Sequence, residues 1–172
     1  MHRRRWDHYP EALSDARRAH ELNPNDTVVL RILGLFEALA GEPDRSIEHL
    51  HQVMRLNPRD FRIYDTYQGL AAACFVAKRY ADGIDWGSRA LRARPQMVQA
   101  HTQVVLNFIG RGEIGKAKAE FETLQKTAAA EFLRGRLEGS WMFGRSEDRR
   151  RATTFLRIAA GLEDPSAADA LR

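Results

Sequence analysis

The sequence predicts an all-α fold, a right-handed superhelical solenoid of antiparallel helix pairs with a C-terminal helical cap. The first observation behind this prediction is a Leu-Asn-Pro string that ends at Pro24 and again at Pro58, 34 residues later, with Pro95 following after 37 more. That spacing is the period of a helix-turn-helix repeat. The second is that small residues recur at fixed distances before each proline, and the third is that no segment is a candidate strand.

Small residues mark the points at which helices are expected to cross. Two sets lie five and twelve residues before the prolines: Ala19, Val53 and Ala90, then Ala12, Ser46 and Gly83. Small side chains at helical spacing allow a second helix to approach closely. Each unit therefore consists of a helix A, a tight turn and a helix B, and a proline ends helix B and opens the next loop.

This arrangement resembles the tetratricopeptide repeat (TPR), whose helices carry small residues near their middle, an aromatic residue at the start of helix B and Ala-x-x-x-x-Pro at its close. The segment from Phe75 to Pro95 follows that pattern closely. In a fourth unit, Gly112, Ala117 and Phe121 occupy the expected positions, but no proline closes the unit. The resemblance implies stacked units whose A helices line a concave groove.

The repeat also predicts the domain boundaries. The TPR-like repeats are assigned to residues 1–126, as a half unit at 6–24 and units at 25–58, 59–95 and 96–127. Residues 128–163 are assigned to the cap and residues 164–172 to a flexible tail. Extra residues between 57 and 64 predict a longer loop between the second and third units. In the cap, Trp141 and Phe143 are expected to plug the open end of the solenoid.

The first predicted helix, from about Tyr9 to Leu22, is a helix B with no helix A before it. Its small-residue face is formed by Ala12, Ala16 and Ala19. Because a repeat unit cannot bury its apolar face alone, this face is expected to need a neighbour. Two alternatives supply one: an upstream part of a longer protein, or a second copy of the chain in a homodimer.

A partner-binding groove is predicted on the A helices. Its lining residues are Val28, Arg31, Leu35, Asp65, Gln68, Ala72, Gln99, Thr102 and Leu106. This mixed polar and apolar lining suits an extended peptide or a partner helix. In chaperone-binding repeat proteins, lysine, asparagine and arginine on these faces clamp a terminal carboxylate, whereas the matching positions here offer only Arg31. We therefore expect a protein or peptide partner but no tight binding of acidic chaperone tails.

No residue pattern indicates catalysis, a cofactor or a metal. Residues 110–115 match the pattern G-x-G-x-x-G, but a dinucleotide site requires a preceding strand, and here a helix is predicted. His49 and His51 are two residues apart, so on a helix they point in different directions. The single cysteine, Cys74, is interpreted as a small buried residue. The chain is therefore expected to be non-enzymatic.

Charge and hydropathy bear on whether the protein binds nucleic acid or a membrane. The chain has 27 basic and 23 acidic residues, and the two signs are mixed along helix faces, which is typical of a solvated surface. Arginine clusters at 3–5 and 149–151 have no recognition-helix motif, zinc-ligand spacing or aromatic platform beside them, which argues against nucleic-acid binding. No stretch approaches the ~20 apolar residues of a membrane span, and no leader-like segment opens the chain, so we expect a cytoplasmic protein without a membrane partner.

The C-terminal part carries a second resemblance. The apolar residues Trp141, Met142 and Phe143, the string SEDRRR and the string LRIAAGLED follow the third repeat in this order. This order is similar to the C-terminal TPR regions behind the catalytic domains of bacterial class III adenylate cyclase-like proteins and behind winged-helix regulators. The resemblance covers about residues 23–164 and does not bring catalysis, because this chain has no candidate strands for the paired metal-binding aspartates.

The two resemblances together imply a non-catalytic protein-interaction scaffold, as the C-terminal regulatory region of a larger bacterial signalling protein. One alternative is a homodimerisation module. Another is a part of an adenylate cyclase or transcriptional regulator whose catalytic or DNA-binding domain lies upstream. A nucleotide-turnover assay separates an enzyme from a scaffold, and salt-dependent affinity identifies a nucleic-acid binder.

Overall fold

A computed structural model describes residues 9–172, and of Tyr9 it describes the backbone. In this range the chain forms helices and no strand. The α-helices are α1 Tyr9–Leu22, α2 Thr27–Ala40, α3 Pro43–Leu56, α4 Ile63–Val76, α5 Tyr80–Ala93, α6 Val98–Arg111, α7 Ile114–Thr127, α8 Ala130–Leu137 and α9 Ser146–Ala159, and a 3₁₀ helix follows at Pro165–Ala168. The arginine cluster at 3–5 lies outside the described residues.

The helices pack as antiparallel pairs in two layers. Helix α2 packs on α3, α4 on α5, and α6 on α7. Helices α2, α4 and α6 also contact one another in succession, whereas α3, α5 and α7 make no comparable contact with each other in the described residues. Because the A helices are the more closely spaced layer, they form the inner side of the stack. This is the all-α solenoid of helix pairs that the sequence predicts.

Local sequence explains where the helices begin and end. The carboxylate of Asp26 caps α2 by accepting hydrogen bonds from the backbone N–H groups of Val28 and Val29, at 2.9 and 3.1 Å. Gly41 and Gly112 end α2 and α6 in the left-handed conformation, with φ of 87° and 86°. Pro43 begins α3, where its missing N–H leaves no hydrogen bond unmade.

The loop between α3 and α4 is longer than the other loops between units. It has six residues, 57–62, whereas the loops at 23–26 and 94–97 have four. Asp60 in this loop is buried and forms an ion pair with Arg31 on α2. The loop is therefore anchored to the inner layer of the preceding unit.

The C-terminal segment folds back over earlier units of the solenoid. An extended stretch after α8 carries the chain to α2, where the backbone N–H of Gly144 donates to the carbonyl of Leu39 at 2.7 Å. The ring of Phe143 lies 5.5 Å from that of Phe75 on α4, and Trp141 stacks on Phe143. The expectation that Trp141 and Phe143 plug the open end is therefore wrong for Phe143, whose ring packs on α4 of the third unit.

The last nine residues, expected to be flexible from their composition, pack against the solenoid. Ala168 is fully buried. The Lys78 ammonium donates to the backbone carbonyl of Arg172 at 2.9 Å, and the Arg172 guanidinium donates to the carbonyl of Ile109 at 3.4 Å. The structure thus gives this stretch defined contacts at the turns of the third and fourth units, which composition alone does not reveal.

The main apolar core forms where α4, α6 and α9 meet. Its largest fully buried side chains include Phe75, Leu106, Ile109, Phe155 and Ile158. Helix α9 therefore completes a core that the repeats leave open. Within residues 9–172, each helix is too short or too polar to cross a membrane.

Candidate functional site

A cleft of about 100 Å³ lies between the A helices and the C-terminal segment, and we call it the inner cleft. The A helices contribute Leu35, Leu39, Gln68, Ala72, Gln99, Thr102 and Gln103. The C-terminal segment contributes Phe132, Arg136, Trp141, Met142 and Phe143. Most of these side chains are apolar or aromatic, and the few polar groups converge on one space. This combination is typical of a binding site.

Five of the nine predicted groove residues line the inner cleft: Leu35, Gln68, Ala72, Gln99 and Thr102. Three consecutive A helices bring them together. On α4 the two positions are four residues apart and on α6 they are three apart, so each pair faces the same side of its helix. The predicted helical register therefore places these five residues on one surface.

The other four predicted groove residues do not line the cleft. Val28 is exposed near the start of α2, while Leu106 is fully buried in the main core. Arg31 is buried against Asp60, and Asp65 is half-buried in an ion pair of its own. Arg31 is therefore not available to bind a terminal carboxylate. Repeat periodicity predicts which side of a helix a residue faces. It does not predict whether another part of the chain already contacts that residue.

Sequence reasoning missed the second wall of the cleft. The repeat alignment has no position for α8 or for residues 141–143, so it could not place them opposite the A helices. The only signal was the dense aromatic stretch, which must bury its surface somewhere. Trp141 is fixed there by a hydrogen bond from its indole N–H to the hydroxyl of Thr153, at 3.0 Å.

Arg136 is the cationic group of the inner cleft. Its guanidinium carbon lies 4.8 Å from the ring centroid of Phe132 and 4.9 Å from that of Trp141. One guanidinium nitrogen donates to the carbonyl of Ser140 at 2.6 Å. Burial lowers the pKa of Arg136, although an arginine stays charged at physiological pH. Within residues 9–172 no carboxylate forms an ion pair with it.

The polar side chains on the A helices differ in how well their hydrogen bonds are satisfied. The hydroxyl of Thr102 donates to the carbonyl of Val98 at 2.8 Å, so it is engaged within its own helix. Gln103 is only 7 % exposed, and its side-chain oxygen is buried without a hydrogen-bond partner among the described residues. Such a group costs about 1–3 kcal/mol when it is left unpaired.

The small-residue face of α1 is partly covered within the chain. Ala16 packs with Leu13 against Leu33 of α2, so Ala16 is already buried without a second copy or an upstream helix. Ala12 and Ala19 are half-buried. Helix α2 therefore supplies part of the neighbour that the sequence led us to expect from a dimer or an upstream helix.

The glycine pattern at 110–115 joins two helices and is explained by packing. A Cβ on Gly110 would lie 2.4 Å from the ring of Tyr80, so that glycine allows α5 and α6 to meet. Gly112 ends α6 with a positive φ, and Gly115 has open space around its Cα. Each glycine thus has a local environment different from that of a phosphate-binding turn after a strand.

The remaining singled-out residues have structural partners. His49 forms a hydrogen bond with the buried carboxylate of Glu37 at 2.7 Å, and the ring of His51 lies 5.6 Å from that of Trp86. Cys74 is buried, and burial raises the pKa of its thiol to about 11. In the described part of the chain, no group of three or more His, Cys, Asp or Glu side chains is arranged to hold a metal ion.

The arginine cluster at 149–151 is divided among different environments. Arg149 donates to the carbonyls of Phe143 and Gly144 at 2.6 and 2.7 Å. Arg151 is buried, donates to the carbonyl of Phe75 at 3.1 Å and forms an ion pair with Asp148. Only Arg150 of the three is exposed. Arg151 therefore holds the C-terminal segment onto the solenoid, whereas Arg149 joins the extended stretch to α9 within that segment.

Comparison with known proteins defines the fold. No protein-family model and no curated protein matches this sequence. Among solved structures, the chain is similar to one described as "Crystal structure of MamA", with a TM-score of 0.60, 21% identity and coverage of 95% of this chain and 92% of that one. A second, "MamA RS-1 ArsTM double mutant", has a TM-score of 0.59, 19% identity and coverage of 90% and 84%.

At these identities the similarity concerns the fold. The chain is an all-α, TPR-like solenoid, as its repeat pattern predicts. Its inner cleft, formed by the A helices and closed by the C-terminal segment, is the candidate site on that fold.

Proposed function

We propose that the chain is a non-catalytic scaffold that binds a peptide or a partner helix on the inner side of its repeats. The observation that carries this proposal is the inner cleft, in which five predicted groove residues face the aromatic C-terminal segment. Helical-repeat proteins present their concave side to partners, and the fold established above supports that use. The binding surface consists of the A helices together with the segment that folds over them.

The chemistry of the cleft favours binding over catalysis. Its polar groups are three amides, one hydroxyl that is bonded to its own helix, one guanidinium and the Trp141 indole N–H, which is bonded to Thr153. Among the residues lining it, there is no nucleophile beside a general base and no pair of carboxylates. These groups recognise a ligand by hydrogen bonds and charge.

Peptides selected from a random phage-displayed library against the purified chain test this proposal. Gln99 is exposed and lines the cleft, so Gln99→Trp should fill the cleft without disturbing the core and weaken the selected peptides at least tenfold. Gln125→Trp is the matched control, because Gln125 is exposed on α7 outside the cleft. If no peptide is enriched, or if the selected peptides bind the Gln99→Trp variant as well as the original chain, the proposal fails.

The finer role we propose is that of a cytoplasmic C-terminal regulatory region in a larger bacterial signalling protein. It is supported by the resemblance of residues 23–164 to the regions behind adenylate cyclase-like catalytic domains and winged-helix regulators. An immunoblot of the source cell tests it. A band far above 19.6 kDa is expected. The sequence that precedes this chain in the larger protein would then distinguish a cyclase from a transcriptional regulator. A band at 19.6 kDa would leave a free-standing scaffold.

The alternative is a homodimerisation module, and the incomplete burial of α1 favours it. Ala12 and Ala19 are half-buried, and Leu22 at the end of α1 is 82 % exposed. A second copy packing on this face would cover all three residues. Sedimentation of the chain with and without Ala19→Arg tests this alternative. A dimer that the substitution disrupts supports it, and a monomer at high concentration excludes it.

A further inference from the structure

Among residues 9–172, no carboxylate pairs with the cation that lines the inner cleft. Arg136 stacks between Phe132 and Trp141 and donates one hydrogen bond to a neutral carbonyl. None of the cleft-lining residues is acidic. Most other buried or half-buried arginines of the described chain pair with a carboxylate, as Arg31 does with Asp60 and Arg151 with Asp148. The guanidinium of Arg136 therefore has donors free for an anion in a partly dehydrated space, where an ion pair is stronger than in water.

A residue that lines the same cleft carries an unmet hydrogen-bond acceptor. The side-chain oxygen of Gln103 is buried without a partner among the described residues. It lies on the A-helix wall, and Gln99 is one turn before it on the same side of α6. An amide side chain matches the N–H and C=O groups of a peptide backbone. This observation is independent of Arg136. Because the oxygen is closed to solvent, the Gln103 side chain must turn toward the cleft to accept an N–H from a ligand.

We propose that the inner cleft selects a peptide segment in which an aliphatic residue is followed, within two positions, by an aspartate or glutamate. The aliphatic side chain would occupy the cleft of about 100 Å³ beside Leu35 and Ala72. The acidic side chain would pair with Arg136, and a backbone N–H would donate to Gln103. Aliphatic residue and acid must be close in sequence because their binding groups line one small space. This inference rests on the proposed function, since it specifies the partner of that same site.

The acidic group is assigned to a side chain within the peptide and not to its terminus. Neighbouring packed helices lie about 8–10 Å apart, so a segment that crosses α2, α4 and α6 extends beyond the cleft on both sides. A clamp for a terminal carboxylate would need several cations on the A helices. The one predicted there, Arg31, is paired with Asp60. Arg136 approaches the site from the opposite wall.

Two blocked hexapeptides test the proposal, SGLEGS and SGLQGS, each acetylated and amidated so that the glutamate is the only charge. Binding is followed by NMR through the indole N–H of Trp141, assigned with Trp141→Phe. The glutamate peptide is expected to bind about tenfold more tightly than the glutamine peptide, because hydrogen bonds to charged groups contribute at least that factor. In Arg136→Gln the preference should disappear, and in Arg134→Gln, the same charge change at an exposed position on α8, it should remain.

Each outcome decides the proposal. Equal binding of the two peptides to the original chain overturns it, whatever Arg136→Gln does to the fold. Absence of binding by both hexapeptides also overturns it, while the proposed function stands if the phage-selected peptides bind in the cleft. If those selected peptides bind elsewhere or not at all, the proposed function itself fails. A glutamate preference that Arg134→Gln abolishes as fully as Arg136→Gln would also overturn it, since net charge would then explain the effect.

Discussion

At the scale of single residues, buried charge decides which predicted groove residues are available. Arg31 lies on the side of α2 that the repeat assigns to the groove, yet the α3–α4 loop brings Asp60 to it. Asp60 also accepts a hydrogen bond from the backbone N–H of Arg62 at 2.9 Å. Burial opposes the ionisation of Asp60, but these donors outweigh it and lower the pKa of the carboxyl. The pair anchors the loop and removes Arg31 from partner binding.

Removing the charge of Asp60 should therefore cost stability in a pH-dependent way. Asp60→Asn is expected to lower the free energy of unfolding by about 3 kcal/mol at pH 7, because it leaves Arg31 buried without a counter-charge. A carboxyl whose folded-state pKa is lowered contributes stability above its ordinary pKa of 3.8, and this is lost as the pH falls through the folded-state value. The difference between the variant and the original chain should thus shrink below pH 3.8.

Urea unfolding at pH 7 and at several values below pH 4 measures this difference. Asp85→Asn is the control, because Asp85 is exposed and its substitution should change stability by less than about 0.5 kcal/mol. A loss for Asp60→Asn no greater than that of the control would show that the buried pair does not anchor the loop.

Alanine substitutions at Gly110 and Gly115 are expected to change the free energy of unfolding in opposite directions. Gly110→Ala is expected to destabilise the fold by about 1–3 kcal/mol, because its Cβ would lie 2.4 Å from the packed ring of Tyr80. Gly115→Ala is expected to be neutral or stabilising by up to about 1 kcal/mol, since a Cβ there meets no atom within 4 Å and alanine favours a helix. Thermal unfolding distinguishes the two. Equal effects would contradict the packing explanation of the pattern.

At the scale of elements, the sequence predicts the repeats well and the C-terminal segment poorly. Repeat helices have a period and buried small residues, so the register of α4 and α6 could be assigned before the structure. Residues 128–172 have no repeat to align with, and their contacts are distant in sequence, such as Gly144 with Leu39. The aromatic rings of that segment predicted burial, but not which units they would cover. The wall of the cleft that the C-terminal segment forms could therefore not be predicted from the repeat pattern.

The docking of the last residues is a testable feature of this segment. Ala168 is fully buried, whereas Ala170 is exposed two residues later. Ala168→Asp should reduce the free energy of unfolding by at least about 2 kcal/mol, because it places a charge in an apolar contact, and Ala170→Asp should have little effect. Chemical denaturation compares the two variants. If both leave stability unchanged, the segment does not pack on the solenoid in solution.

At the scale of the whole molecule, the solenoid is closed on its inner side by its own C-terminal segment. Helix α9 fills the core beside α4 and α6, and α8 with the extended stretch forms the far wall of the cleft. What remains open is a small, mostly apolar space. It is lined by one cation and one amide oxygen that have no ionic or hydrogen-bond partner, respectively, among the described side chains. A partner bound in the cleft would therefore lie between two walls of the same chain, which restricts it more than an open groove would.

Peptide binding in the inner cleft is best tested by mapping where a bound peptide lies. A phage-selected peptide with a nitroxide spin label broadens the NMR signals of nearby groups. Binding in the cleft should broaden the side-chain amide signals of Gln68, Gln99 and Gln103 and the indole signal of Trp141. Broadening confined to the outer helices α3, α5 and α7 would contradict it.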